Sequence, residues 1–458
     1  MAQNAITEKL LMGQVVLDGE DILSNLHESI LGYILSFVPT LDAVRTSILS
    51  KSWICAWTST TSLQFDDSLF CSGKSKEKER FVNFVNKVLL HQANSSIQSF
   101  FLSLLRYQYD PSQVSEWISC ILGKGVKKLH IQYVDKVNLS SHALFNCTSL
   151  VELVLQMRCS LSVPISACLP NLQHLSISGI TLVSNSSTHT EDLILSFPLL
   201  KVFEARGCEW STTQNVSIVA PMLESFSISF WNSLSSESCK SAIKIYAPLL
   251  TKFSYEGDLE QDIILLNPSS IRDASVVVVV DEDKADRVQE MVLRAHTLLR
   301  QIHEVEHLKL CFYKVLLHAK DIFSNLPVFG RLTFLQLNEV AGEVLLDFLH
   351  KSPILETLVL LHGVSKFDND LFSSALVPSC FLSSLKVFQF GGFNVYDHEL
   401  SLARFVMANA AVLERMSISA AFWLRYSDTN IEKVKEQLLT FPNCSKFAMI
   451  ELSDANCQ

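Results

Sequence analysis

The sequence predicts an α/β solenoid, in which repeated strands form a curved parallel sheet, preceded by a small all-helical module. Three observations support this fold class. A short apolar motif recurs at near-regular intervals between residues 97 and 418. Within each copy, apolar and polar residues alternate as they do in a strand with one buried face. Residues 21–62, in contrast, carry apolar residues at helical spacing.

The composition is that of a globular protein, and it argues against several partners. Apolar residues make up 48% of the 458 residues and charged residues 18%. The net charge of −10 opposes general binding to nucleic acid or anionic membranes, which requires a basic face. No apolar run approaches the roughly 20 residues of a membrane span, and the first twenty residues do not resemble a secretory signal. We therefore expect neither a nucleic-acid nor a membrane partner.

The twelve cysteines include no C-x-x-C pair. Scattered cysteines of this kind are typical of buried, reduced thiols rather than of a disulfide framework. This pattern predicts a cytoplasmic or nuclear protein, or one found in both compartments.

The repeat consists of an apolar residue, two variable residues, an apolar residue, one variable residue and a further apolar residue. Thirteen copies have a mean spacing of about 26 residues, which is typical of leucine-rich repeats. Each repeat is expected to supply one strand and one return segment. The clearest copies are LVELVL at 150, LQHLSI at 172, LKVFEA at 200, LESFSI at 223, LTKFSY at 250, LETLVL at 355, LKVFQF at 385 and LERMSI at 413. Weaker copies are IQSFFL at 97, VKKLHI at 126, IRDASV at 271, VEHLKL at 305 and LTFLQL at 332.

The alternation within the repeat predicts which side chains face the core and which face solvent. The fourth and sixth positions are apolar in every copy, whereas 29 of the 39 flanking outward positions are polar or charged. Stacked strands of this kind form a large concave surface, which is the usual binding face of a solenoid. The candidate substrate-binding residues on it are Glu152, Gln156, His174, Glu204, Arg206, Lys252, Glu256, Phe334, Gln336 and Asn338.

The N-terminal segment predicts two or three short helices. Asn25 and Glu28 have the spacing of a capping box, Pro39 stops the first helix, and Thr40 is a suitable N-cap for the second. So few helices bury too little surface to be firmly stable alone. Some of their apolar residues must therefore be covered by the repeats or by a partner.

The motif DILSNLHESILGYILSFVPTLDAVRTSILSKSWICAWTS, residues 21–59, resembles an F-box of the plant type that precedes leucine-rich repeats. The resemblance continues to the C-terminal segment LSSLKVFQFGGF, which is similar to the FBD module of the same family. Two residues depart from the family pattern. His27 stands where a proline is usual, and Ser52 stands where an arginine is usual.

The resemblance implies the following domain boundaries. They are a flexible N-terminal tail (1–20), the F-box (21–62), a charged linker and helix (63–95) with a solvated hinge at 73–80, leucine-rich repeats (96–375), FBD-like repeats with a cap (376–452) and a C-terminal tail (453–458). The cap is expected to contain a helix at 430–441 and a closing strand at 445–452.

The resemblance also implies a function. Members of this family are substrate-recognition subunits of Skp-cullin-F-box ubiquitin ligases, without catalytic residues, metal or cofactor of their own. The F-box docks to a Skp-family adaptor, and through it to a cullin, while the repeats hold a target protein near the charged enzyme. The implied adaptor-binding residues are Leu26, Ile30, Leu31, Ile34, Leu35, Phe37, Val38, Pro39, Val44, Leu49, Trp53 and Trp57.

Two other functions remain open at this point. The chain could be a repeat scaffold or ligand co-receptor that acts outside a ubiquitin ligase, and His27 favours this alternative. An enzyme with a site on the concave face is the second, but no H-E-x-x-H, G-x-S-x-G, P-loop or G-x-G-x-x-G motif is present. The identity of the target, and any need for a small-molecule ligand, lie beyond the sequence.

Overall fold

A computed structural model of the chain forms two compact units, Met1–Asp135 and Lys136–Gln458. The structure describes residues 23, 26–70, 76–92, 97–164, 166–184, 193–210, 215–230, 242–259, 261–279, 288–312, 325–338, 340–365, 367, 371–421, 436, 438, 440–442, 444–445 and 449–453. The expected N-terminal tail and most of the expected cap helix and C-terminal tail lie outside these residues.

The first unit opens with the predicted helical module. Helix α1 spans Glu28–Leu35 and helix α2 spans Thr40–Arg45. Three short 3-10 turns follow at Thr46–Ile48, Lys51–Trp53 and Ala56–Ser59. The module has a small core of its own, formed by Leu31, Leu35, Ala43, Trp53 and Ala56, against which Leu26 and Trp57 pack.

The helix caps differ from those expected. His27, rather than Asn25, caps α1, and its Nδ1 accepts a hydrogen bond from the Ser29 N–H at 3.3 Å. Asn25 lies outside the described residues. Thr40 is the first residue of α2 and does not cap it. The Thr40 hydroxyl instead accepts a hydrogen bond from a strand N–H, a long-range contact that local spacing cannot reveal.

Parallel strands complete the first unit. Strand β1 (Ser62–Asp66) pairs with β2 (Ser99–Leu104), and β2 pairs with β3 (Lys128–Val137). Helix α3 (Glu77–His91) connects β1 to β2, and helix α4 (Pro111–Gly123) connects β2 to β3. The sheet therefore begins within the segment that was expected to be a linker. Its first strand was missed because it lacks a full copy of the repeat motif.

A buried carboxylate holds the ends of these strands together. Asp67 is fully buried, and its two oxygens accept hydrogen bonds from the N–H groups of Leu105, Arg106 and Tyr107. The Tyr109 hydroxyl also donates to Asp67, and burial together with this carboxylate raises the pKa of Tyr109. Asp67 thus satisfies backbone donors that would otherwise be buried without partners.

The second unit is built on a long parallel sheet. Helix α5 (Ser141–Phe145) precedes the first of its strands, and β9 (Glu209–Trp210) pairs with the end of the second. In sheet order, each pairing in parallel with the next, the strands are β4 (Glu152–Val163), β6 (His174–Ser184), β8 (Val202–Arg206), β11 (Ser225–Ser229), β13 (Lys252–Gly257), β15 (Asp273–Val278), β16 (His307–Phe312), β17 (Phe334–Asn338), β18 (Thr357–Leu360), β19 (Val387–Phe393), β20 (Arg415–Ala420) and β21 (Met449–Ser453).

The return segments of the second unit are of two kinds. Between β4 and β15 they are short strands that form a second parallel sheet, and after β15 the described ones are helices. The return strands are β5 (Ser166–Cys168), β7 (Leu193–Ser196), β10 (Val216–Val219), β12 (Ala242–Tyr246) and β14 (Asp262–Leu266), with a 3-10 turn at Pro268–Ser270. The return helices are α6 (Val288–Gln301), α7 (Gly342–Lys351), α8 (Leu371–Ser374), α9 (Ser379–Ser383) and α10 (Asp397–Asn409).

The predicted strand alternation is confirmed. Every residue at the fourth and sixth positions of the thirteen motif copies is buried, and none is more than 7% exposed. Strand β21 provides the closing strand expected near the C-terminus. The predicted α/β fold, with its parallel repeat sheet and N-terminal helices, is therefore correct. No helix within the described residues is both long and apolar enough to cross a membrane.

Candidate protein-interaction surfaces

Helix α1 exposes a stripe of large apolar side chains. Ile30, Tyr33 and Ile34 on α1, and Phe37 just beyond its C-terminal end, recur at helical spacing and are exposed, whereas Leu31 and Leu35 of α1 are buried. Phe37 is 72% exposed, and its ring meets that of Tyr33 edge to face at 5.0 Å. We call these four residues the helix stripe. Val38, which follows Phe37, is also exposed.

A second exposed apolar group lies on the 3-10 turns of the module. Ile48 is 88% exposed, and Leu49 and Ile54 are also exposed. The Ser47 hydroxyl donates to the Ile54 carbonyl at 3.3 Å, which joins the two turns. Soluble proteins rarely leave so many large apolar side chains in water within one small module, unless those side chains form an interface.

The predicted adaptor-binding residues divide according to burial. Leu31, Leu35 and Trp53 lie in the module's core. Leu26, Pro39, Val44 and Trp57 are half-buried, whereas Ile30, Ile34, Phe37, Val38 and Leu49 are exposed. The structure thus separates side chains that form the module from those that a partner can reach. Tyr33, Ile48 and Ile54 are exposed but were missed, although the spacing of Tyr33 from Ile30 would have revealed it.

Close packing fixes α1 against the last turn of the module. A Cβ atom on Gly32 would lie 2.7 Å from the Ser59 carbonyl oxygen, so only glycine fits at this position. The Ser59 hydroxyl also donates to the Glu28 carboxylate at 2.9 Å. The helix stripe is therefore held on a rigid support.

The helical module is also joined to the first strands within the same unit. The Gln64 N–H, in β1, donates to the Thr40 hydroxyl at 2.7 Å. The Gln92 side-chain amide, just after α3, donates to the Trp57 carbonyl at 3.1 Å, and the Trp57 and His91 rings lie 5.7 Å apart. Since β1 follows the module directly and precedes the expected hinge at 73–80, that segment does not separate the module from the sheet.

The second candidate surface is the face of the second unit's long sheet that carries the outward side chains, which we call the open face. All ten predicted substrate-binding residues lie on it, and none is buried. They fall into two groups. Glu152, Gln156, His174, Glu204, Arg206, Lys252 and Glu256 lie on strands β4 to β13, and Phe334, Gln336 and Asn338 lie on β17.

Several of these side chains interact with one another. His174 Nδ1 lies 3.8 Å from Glu152 Oε1, and Arg206 Nη2 lies 3.3 Å from Glu204 Oε2. On β17, the Asn338 amide donates to Cys311 Sγ at 3.0 Å. The pair His307 and Asp273, 2.7 Å apart on adjacent strands, was not predicted. These pairs are partly open to solvent, and ion pairs in such positions contribute little to stability.

Comparisons with known proteins agree with this architecture. An F-box domain model matches residues 23–64, and an FBD model matches residues 374–418. An F-box/FBD/LRR-repeat protein of Arabidopsis thaliana is 31% identical over 445 residues, covering 94% of each chain. An FBD-associated F-box protein of the same plant is 27% identical over 410 residues, covering 87% of this chain and 93% of the relative. An F-box/LRR-repeat protein, also from that plant, is 27% identical over 403 residues, covering 81% and 76%.

The helical module with its exposed apolar stripe, together with the repeat sheet that follows it in the chain, defines an F-box protein that carries leucine-rich repeats. More specifically, the chain belongs to the F-box/FBD/LRR-repeat family. The FBD match covers strand β19, helix α10 and most of strand β20, together with the short helix α9 that precedes β19.

Proposed function

We propose that this F-box protein is the non-catalytic, substrate-recognition subunit of a Skp-cullin-F-box ubiquitin ligase. The helix stripe docks to a Skp-family adaptor, and the open face of the repeats holds the target protein. The target is brought close to a ubiquitin-charged enzyme on the same scaffold, so its effective concentration rises without a catalytic group in this chain.

The observation that carries the proposal is the exposure of the helix stripe. Ile30, Tyr33 and Ile34 lie on α1, which the module's core and Gly32 hold in place, and Phe37 lies just beyond the end of this helix. Aromatic and aliphatic anchors on a rigid helix are the usual hot spots of a helix-mediated interface. A partner that covers them would also remove the apolar surface that the small module leaves in water.

His27 does not weaken the proposal. Its backbone angles, φ −62° and ψ 142°, are those that a proline at this position would adopt. The His27 ring also caps α1, which supplies the start signal of that helix. The exchange of the family's usual proline for histidine therefore preserves the path of the chain into α1, which supports the proposal over the alternative of a scaffold outside a ligase.

The compartment follows from the same proposal. Within the described residues, Cys159, Cys208 and Cys380 are free and buried, and burial raises the pKa of each thiol to about 11. Protonated, inaccessible thiols are compatible with the reducing cytosol or nucleus, where such a ligase would act. A fluorescent fusion found only in a secretory compartment would contradict this assignment.

The experiment that tests the proposal measures adaptor binding by the full chain. Wild type should bind a purified Skp-family adaptor, and Phe37→Asp should weaken binding by about thirtyfold or more, the usual cost of losing an interface hot spot. Leu90→Asp is the matched control, because Leu90 on α3 is 73% exposed, almost the same as Phe37, but lies outside the module. Isothermal titration calorimetry gives both affinities, and circular dichroism confirms that each variant is folded.

Leu35 and Trp53 are unsuitable for this test. Both are buried in the module's core, so a charge at either position would unfold the module and abolish any interface indirectly. The ligase proposal is wrong if wild type does not bind the adaptor, or if Phe37→Asp and Leu90→Asp bind it equally well. Either result would favour a repeat scaffold that acts outside a ligase.

A further inference from the structure

The open face of the second unit changes character along the sheet. From β4 to β15, the outward positions in register carry four carboxylates, those of Glu152, Glu204, Glu256 and Asp273, among serines and two cations. On β17, β18 and the described register of β19, these positions are uncharged. We call this set the uncharged patch. It consists of Phe334, Gln336, Asn338, Thr357, Val359, Leu361, Val387 and Gln389.

The uncharged patch has a firm apolar floor. Val359 is only 7% exposed and lies in register between Gln336 and Gln389, whose amides border it on both sides. Leu361, just beyond β18, is 41% exposed. A Cβ on Gly391 would collide with the Leu361 carbonyl oxygen, so β19 packs against this backbone too closely for any residue other than glycine. The neighbouring strand therefore supports the floor of the patch.

A cation stands on each side of the patch. Lys309 on β16 and Arg415 on β20 are both exposed, and neither forms a salt bridge with a residue in the described part of the chain. Four strand spacings separate β16 from β20, which corresponds to about 19 Å. The two cations therefore flank uncharged surface on a protein whose net charge is −10.

The geometry points to an extended, acidic peptide segment of the target protein as the occupant of this patch. The inference deepens the proposed function, on which it rests, by naming the part of the open face that holds the target. An apolar side chain of the segment packs on Val359 and Leu361, and the amides of Gln336 and Gln389 bond to its backbone. Acidic side chains on either side reach Lys309 and Arg415.

The distance between the cations sets the spacing of the acids. An extended chain rises about 3.3 Å per residue, so about 19 Å corresponds to about six residues. The recognised segment should therefore carry Asp or Glu about six positions apart, with an aliphatic or aromatic residue between them. Charge complementarity of this kind selects partners and accelerates association more than it adds affinity, and it weakens as salt is added.

The test is a selection from a random 16-residue peptide library displayed on phage against the purified full-length chain. Enriched peptides should show the acidic, apolar, acidic pattern. A synthetic peptide of the consensus should bind at least about tenfold more weakly to the double variant Lys309→Glu, Arg415→Glu, and its affinity should fall with added salt. The control is Arg300→Glu, which reverses an exposed cation of helix α6, outside the open face.

Several results would overturn the inference. They are a failure to enrich any peptide, a consensus without acidic residues, and equal binding to the double variant and wild type. Loss of binding in Arg300→Glu as large as in the double variant would also overturn it, because the effect would then reflect the net charge of the protein rather than a site on the patch. Adaptor affinity is measured on the same proteins. Failure of wild type to bind the adaptor would contradict the ligase proposal, but the peptide-binding result could still be interpreted independently of it.

Discussion

The repeats of the second unit share one strand motif, but the segments that return the chain to the next strand differ between two regions. The repeats with return strands, which form the second sheet, are called strand-backed here, and those with return helices helix-backed. Between β4 and β15, the chain returns through strands of three to five residues, whereas α6 and α7 after β15 span 14 and 10 residues. Repeat length does not decide between them. The motif copies at 332 and 355 are 23 residues apart and enclose helix α7, while those at 172 and 200 are 28 apart and enclose strand β7.

Local composition explains the difference better than length. The segment of α7, GEVLLDFLHK, is rich in good helix formers, whereas the return strands β10 and β12 read VSIV and AIKIY. β-branched residues in short alternating runs favour strands, and Leu, Glu and Lys favour helices. A solenoid can therefore change from return strands to return helices from one repeat to the next while its long sheet continues.

The backing also changes what fills the core. In the strand-backed region, Phe203, Phe226 and Phe253 stack in register with ring centroids 5.0 and 6.0 Å apart. In the helix-backed region, the same row of the sheet holds Leu335, Leu358 and Phe388, and α7 contributes the buried Phe348. The helix therefore adds a large side chain of its own to the core, next to those from the strands.

We expect the largest loss of stability from a substitution that disrupts the phenylalanine stack. Phe226→Ala should destabilise its region by about 3–5 kcal/mol, because it leaves a large cavity and removes two ring contacts. Phe388→Ala is the matched variant, because Phe388 is equally buried in the same row but lies on β19 among helix-backed turns. The Phe388 ring lies 5.8 Å from that of Phe390, so among the described residues Phe226 has one more ring contact than Phe388. We expect the cost at Phe226 to be larger by about 1 kcal/mol, since one further ring contact adds about that much beyond buried area.

Hydrogen exchange of the strands that flank each site measures these costs locally, which suits a chain of this size. Equal losses of protection around Phe226 and Phe388 would show that the stack adds nothing beyond burial.

The next effect concerns the junction between the two kinds of turn. Strand β14 is the last strand of the second sheet. The side-chain amide of Gln301, on α6, forms hydrogen bonds with the backbone of β14, as a neighbouring strand would. Gln301 Oε1 accepts from the Leu265 N–H at 2.7 Å, and Nε2 donates to the Ile263 carbonyl at 2.9 Å. Gln301→Leu leaves both groups without these partners and should cost about 1–3 kcal/mol.

The measurement for Gln301→Leu is exchange at the Leu265 amide, which should become about tenfold to a hundredfold faster. Arg300→Leu, the control, removes an exposed neighbour on the same helix. Unchanged exchange at Leu265 in the Gln301 variant would mean that another group, or water, satisfies the edge.

The smallest effect lies in a helix-backed turn and depends on pH. Burial raises the pKa of the Glu399 carboxyl above its usual value near 4.5, although the N–H groups of Asn394 and Tyr396 donate to it and oppose the shift. A raised pKa in the folded state means that stability is greatest when the group is protonated. Its contribution is complete below about pH 4.5 and is lost as pH rises through the folded-state pKa.

The melting temperature of wild type, relative to that of Glu399→Gln, should therefore increase as pH falls from 7 toward 4.5. Glu414→Gln, which removes an exposed carboxyl of the same region, is the control. If the melting temperature of wild type relative to the variant decreased at low pH, a raised pKa for the Glu399 carboxyl would be contradicted.

Much of the fold follows from the sequence, because strand alternation is a local signal. The motif copies predicted the buried residues of the long sheet correctly, down to weak copies such as IRDASV at 271. The return strands were not predicted, since runs as short as DIILL carry little periodicity. They form only because neighbouring turns place similar runs side by side, which is a long-range effect.

The interaction surfaces were less predictable for a different reason. Helical spacing showed that α1 is apolar on more than one side, but it could not say that Leu35 points inward and Phe37 outward. The side chains packed against α1 decide this, and they include Ala56 and the half-buried Trp57, more than twenty residues away along the chain. Arg415 was predicted to face outward, but no sequence pattern connected it with Lys309, because that connection depends on the uncharged strands between them.

The hydrogen bond from Gln92 to the Trp57 carbonyl joins residues 35 positions apart in the chain. During synthesis, the F-box leaves the ribosome before α3 does, and it cannot make this contact until α3 has also emerged. We expect the nascent F-box to expose its apolar side chains for longer than an independent domain would, and to need protection by chaperones during that interval. A fragment cut at residue 62 would lack both Gln64 and Gln92 and should remain in that incomplete state.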